Sequence, residues 1–83
     1  MKLRVRYFAS LREALGPEQT LDVPDDTTLG ALRDLLIASS ERHAQMLERG
    51  RAVRCALDQV MSDEHDRIPP GAEVAFFPPV TGG

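Results

Sequence analysis

Lys2-Leu3-Arg4-Val5-Arg6-Tyr7-Phe8 alternates apolar and polar side chains, with Leu3, Val5 and Tyr7 on one face and Lys2, Arg4, Arg6 and Phe8 on the other. Successive residues of an extended chain point to opposite sides, so the run reads as a strand with one buried face. Phe8 is the exception on the polar side, either because the strand ends there or because a partner covers it. Beyond it, Ser10 and Glu13 have capping-box spacing, Leu11, Ala14 and Leu15 form a helical stripe, and Gly16-Pro17 stops the helix. A second short strand through Leu21 and Val23 closes in the turn residues Pro24-Asp25-Asp26.

Further along, Thr27 or Thr28 caps a longer helix in which Leu29, Leu32, Leu35 and Leu36 recur at helical spacing as a core-facing stripe. Ser39 or Ser40 caps another helical stretch from Glu41 to Arg49, with Ala44 and Leu47 inward and Gly50 as terminator. Val53, Cys55 and Leu57 alternate as a third strand, Val60-Met61 follows the Asp58-Gln59 turn as a fourth, and Glu73 to Phe77 is the last. Two strands, helices and then more strands describe an α+β domain, a mixed sheet covered on one face by a main helix, as in a grasp-like fold.

The 83 residues leave room for one small core, so 1–83 reads as a single domain. A hydrophobic share of 42% against 28% charged is that of an ordinary packed chain. The net charge of -3 has the wrong sign for displacing counterions from a phosphate backbone, which argues against nucleic acid. Cys55 is the only cysteine, so no intramolecular disulfide or thiolate cluster can form, and a reducing cytoplasm is expected. The chain has neither the apolar run of a signal sequence nor that of a membrane span, so no membrane association is expected.

Chemistry-bearing residues are few. Cys55 falls on the core face of its strand, where a thiol behaves as a small hydrophobe, so catalysis through it is the weaker reading. His65 lies among Asp63, Glu64 and Asp66, but without ligand spacing a solvated acidic loop is the commoner meaning than a metal site. Lys2, Arg4 and Arg6 are more simply a solvated strand face than a docking stripe. No phosphate-binding glycine loop occurs, so no cofactor is expected to be bound directly.

The C-terminal run is different. Pro78-Pro79 stops the last strand, and Val80-Thr81-Gly82-Gly83 ends the chain without a Cβ on its last two residues. Residues 78–83 therefore read as a projecting tail whose full reach is about 20 Å. A side-chain-free backbone fits a narrow channel, and the Gly83 carboxyl is then the reactive group. Ionised at neutral pH, it is a poor electrophile until an acyl-adenylate or similar leaving group is supplied from outside. Stiff prolines lower the cost of ordering such a tail, while a frayed terminus is the plainer alternative. Alternation in the last strand puts Val74 and Phe76 on one side and Ala75 and Phe77 on the other. Phe77 is thereby expected to join Phe8 and Met61 on the sheet face away from the helix, as an interface or as a patch covered by flanking loops.

The ending Glu73-Val74-Ala75-Phe76-Phe77-Pro78-Pro79-Val80-Thr81-Gly82-Gly83, with Val5-Arg6-Tyr7-Phe8-Ala9, Leu11-Arg12-Glu13 and Thr28 to Leu36, closely resembles the small sulfur-carrier subunits of molybdopterin synthase, the MoaD branch of the ThiS/MoaD ubiquitin-like family. The resemblance implies a ubiquitin-like β-grasp fold and no enzyme activity of the chain by itself. It further implies that an adenylating enzyme activates Gly83 with ATP, that a sulfur donor protein converts it to a thiocarboxylate, and that the large synthase subunit receives the tail. There the sulfur passes to cyclic pyranopterin monophosphate within a heterotetramer. By position, Phe8, Met61 and Phe77 match the family's hydrophobic contact with the large subunit; Gly82 and Gly83, preceded by Pro78, Pro79, Val80 and Thr81, match the threaded tail. Asp58 and Ala72 depart from the family's usual asparagine and acidic residue at those positions. Carriers for thiamine or cysteine synthesis, working by the same mechanism, and a ubiquitin-like tag are the alternatives; the Phe76-Phe77-Pro78-Pro79-Val80-Thr81 run favours molybdopterin.

Overall fold

The computed structural model describes residues 1–79. The strands are β1 (Lys2–Tyr7), β2 (Glu18–Asp22), β3 (Arg54–Leu57), β4 (Val60–Ser62) and β5 (Glu73–Phe77), and the helices α1 (Ala9–Leu15), α2 (Leu29–Ser39) and α3 (Glu41–Leu47). They form one five-stranded sheet in the order β2-β1-β5-β3-β4. The two ends of the chain meet at its centre: β1 and β5 run parallel, Val5 beside Val74 and Tyr7 beside Phe76, while the other pairings are antiparallel. A parallel pair needs a long crossover, and everything between β1 and β5 supplies it.

Leu3, Val5 and Tyr7 from β1 and Val74 and Phe76 from β5 are almost fully buried against Leu11 of α1, Leu29, Leu32 and Leu36 of α2 and Leu47 of α3. The sheet is thus covered on one face, by α2 with α3 packed beside it and α1 beyond α3. This is the mixed α+β arrangement expected from the alternation.

Three local details differ from the sequence expectation. Ser10 does not cap α1; Phe8 holds the cap position in an extended conformation with no side-chain cap. The cause is the sheet: the Phe8 N–H still donates to the Phe76 carbonyl, so the chain turns only afterwards, at Ala9 with φ 52. The core stripe of α2 does not include Leu35, which is 45% exposed, and Arg33 is buried in its place. At about 100° per residue, Arg33 lies between the buried Leu29 and Gly30, about 40° from Leu29, whereas Leu35 lies about 60° beyond Leu32 on the other side. Finally, α3 ends at Leu47, short of Arg49. The Arg33 Nε donates to the Leu47 carbonyl at 2.7 Å and its Nη2 to those of Glu48 and Arg51 at 2.7 and 3.1 Å, so a guanidinium from α2 satisfies the groups that another helical turn would have used.

Candidate functional site

Asp58 and Gln59 both adopt positive φ, 47° and 70°, the backbone of a tight hairpin that folds β4 back on β3. The Asp58 carboxylate accepts the Glu73 N–H at 2.9 Å, tying the hairpin to the start of β5. This aligns Met61 with Ala56 and Ala56 with Ala75 across three strands. The two alanines leave a low floor. Around it stand Phe8, where β1 leaves the sheet, Phe77 and Pro78 at the end of β5, and Met61 on the edge strand, enclosing a groove of about 570 Å³. Met61 is 55% exposed, and Phe8 and Phe77 are half-buried.

One side of the groove is charged and internally compensated. Arg6 Nη1 donates to Glu73 at 3.2 Å, and the Arg6 guanidinium lies 5.1 Å over the Phe8 ring, fixing that ring by cation–π attraction. Arg4 is paired with Glu18, which holds the Glu18 carboxyl below and the Arg4 guanidinium above their ordinary values. The basic strand face is therefore largely neutralised by its neighbours.

The predicted trio Phe8, Met61 and Phe77 is thus brought together, with Pro78 forming part of the same wall. Pro78, the first residue of the expected tail, lines the groove beside Phe77. Pro79 is half-buried and ends the described residues; Val80, Thr81, Gly82 and Gly83 lie outside them. Ala56, Ala75 and Gln59 were not anticipated as lining residues. The strand alternation that places Phe77 on the open face would also have placed Ala75 there.

None of the histidines or the thiol reaches the groove. Cys55 points into the core, its Sγ 3.6 Å from the Ser62 carbonyl, and burial pushes its thiol pKa up, with Glu64 and Asp63 adding to the shift. His43 bridges Ser40 on its Nδ1 side and Gln19 on its Nε2 side. The Gln19 Oε1 that it meets also accepts from the buried Tyr7 hydroxyl at 2.6 Å. His65 sits in a turn in which Asp66 accepts the Asp63 N–H and Asp63 accepts the His65 N–H, so these carboxylates serve the backbone. Among the described residues no helix is long and apolar enough to cross a membrane. Largely apolar, with the lining carboxylate of Glu73 paired to Arg6, the groove is suited to receiving another surface.

The model of the ThiS family matches residues 5–83. The chain belongs to the ThiS family. Among ThiS-family relatives, it is 41% identical to the molybdopterin synthase sulfur carrier subunit of Escherichia coli, over 98% of this chain and 99% of that one. It is 36% identical to small archaeal modifier protein 3 of Haloferax volcanii, with both chains covered in full. The crystal structure of SAMP1 from the same organism superposes with a TM-score of 0.79 at 25% identity, again over the whole of both chains. The ThiS-family domain described above has this ubiquitin-like fold.

Proposed function

We propose that this ThiS-family protein is a sulfur carrier, the small subunit of a molybdopterin synthase, acting through its last residue and not through an active site of its own. The observation that carries the reading is the position of the groove: its wall is built from Phe77 and Pro78, so a protein seated there lies where the terminal segment begins. The 41% identity to the Escherichia coli sulfur carrier subunit supports it.

In this reading an adenylating enzyme joins the Gly83 carboxylate to AMP, releasing pyrophosphate from ATP. A sulfur donor protein then displaces AMP and leaves a thiocarboxylate. The large synthase subunit docks on Phe8, Met61 and Phe77 and takes in Pro78 to Gly83, and the sulfur passes to cyclic pyranopterin monophosphate within a cytoplasmic heterotetramer. Adenylation is needed because an ionised carboxylate resists nucleophiles, and the chain offers no phosphate loop to do it alone.

Incubation with an adenylating enzyme, ATP and a sulfur donor, followed by intact mass measurement, tests this: one oxygen is exchanged for sulfur at Gly83. An unchanged mass, when pyrophosphate release shows that the terminus was activated, would falsify the carrier role. The relationship to small archaeal modifier protein 3 favours a second reading, a protein tag, for which covalent adducts in lysate would be found instead. Co-purification of a thiamine- or cysteine-pathway enzyme in place of a large synthase subunit would redirect the sulfur to those products.

A further inference from the structure

Of the ten lysine and arginine residues, only Lys2 is a lysine. Arginine carries the same charge but is not an acyl acceptor at ordinary pH, because its guanidinium stays protonated. The amines of the chain are therefore Lys2 Nζ and the Met1 amino group. The latter donates to the Val23 carbonyl at 2.6 Å and to Asp25 at 3.1 Å.

Both lie at one end of the central strand pair. Lys2 precedes Arg4 by two positions, Arg4 is in register with Glu73, and Pro79 follows Glu73 by six. Phe77 and Pro78 each precede a proline and are held extended, so the chain keeps running away from that end. At ~3.3 Å per residue the separation along the strand is about 25 Å. Residues 80–83 span at most ~14 Å, to which a lysine stem adds about 6 Å. Near the exit the basic positions are arginines: Arg6 beside Ala75 and Arg54 beside Phe77. The thiol of Cys55 is sealed in the core.

We infer that the fold keeps its own amines and its thiol out of reach of its activated terminus, so that the acyl group is reserved for a second molecule, and that Arg54 is a specificity-determining position because a lysine there would capture it. The inference rests on the carrier reading for its purpose, but its chemistry does not depend on any enzyme. In the capture reaction the neutral ε-amine attacks the Gly83 acyl carbon, the leaving group departs with the electron pair, the amine loses a proton, and a cyclic amide remains.

The test uses the 83-residue chain carrying a C-terminal thioester, made by thiolysis of an intein fusion, so adenylation plays no part. At mildly alkaline pH and low protein concentration, wild type and Arg54→Ala should only hydrolyse to the free acid. Arg54→Lys should also yield a monomer one water lighter than that acid, at least about tenfold above wild type and unaffected by dilution, as expected for a tethered millimolar reactant. Peptide mapping should place the new bond between residues 54 and 83. Cyclic monomer from wild type, or none from a folded Arg54→Lys, would overturn the inference and leave the adenylation test of the carrier role untouched.

Discussion

Arg33 is 3% exposed, yet all its polar contacts are specific: three backbone carbonyls and the Glu64 carboxylate at 3.2 Å. Glu64 also accepts from Arg49, which in turn holds Asp34 and the Gly30 carbonyl. Removing the guanidinium leaves several acceptors without a donor in a poorly hydrated place, and each such loss costs about 1 kcal/mol or more. Arg33→Met should therefore lower unfolding free energy by about 3 kcal/mol, read from urea titration, and Arg33→Lys should recover little because a single ammonium cannot span three carbonyls. His43 makes a pH prediction. Gln19 Oε1 can only accept, so Nε2 carries the proton and Nδ1 accepts from Ser40. Burial lowers the His43 pKa, so around pH 6 the folded chain binds fewer protons at this site than the unfolded chain. Its contribution to stability is complete above the unfolded value of about 6.5 and is lost as pH falls through the lower folded value. Melting temperatures across that window should rise with pH in the wild type and less steeply in His43→Gln.

Among the elements, α2 and the β3–β4 hairpin owe their limits to local chemistry. Thr28 accepts the Ala31 N–H at 3.1 Å as the cap of α2, and Thr28→Ala should cost about 1 kcal/mol in chemical denaturation. The hairpin places Gln59 at φ 70, where a Cβ is unfavourable by about 1–2 kcal/mol. Gln59→Gly should then stabilise the domain by about 0.5–1 kcal/mol after the added chain entropy of glycine, visible as a raised urea midpoint with unchanged slope. The capping threonine and the hairpin turn were legible in the sequence because both depend on neighbours a few residues away. The start of α1 was not: Ser10 and Glu13 have the spacing of a cap, but a hydrogen bond from Phe8 to Phe76, across the whole chain, sets where the turn begins.

At the scale of the whole molecule, the proposed function makes the open face of the sheet the surface on which this ThiS-family protein meets its partner. Phe77→Asp places a charge on the groove wall while leaving the opposite, core-facing surface intact. Loss of about 2 kcal/mol, near thirtyfold in affinity for the large synthase subunit, is expected by calorimetry, with the melting temperature little changed. A drop in stability matching the loss of affinity would instead mean that Phe77 serves the fold.

The amino-acid order alone determined the inner and outer faces of β1 and β5, the main helix and the diglycine ending, since alternation, helical period and proline stops are properties of short stretches of backbone. It also sufficed to put Phe8, Met61 and Phe77 on one side of a sheet. Only the tertiary structure decided that the two alanines sink the floor between them, that Arg33 and not Leu35 is enclosed, and that the amines stand at the end of the sheet opposite the exit. The floor follows from the antiparallel registers of β3 with β4 and β5, the enclosure of Arg33 from the Leu47, Glu48 and Arg51 carbonyls, and the place of the amines from the parallel register of β1 with β5, residues about 70 positions apart; such long-range pairings are the outcome of packing the entire core at once.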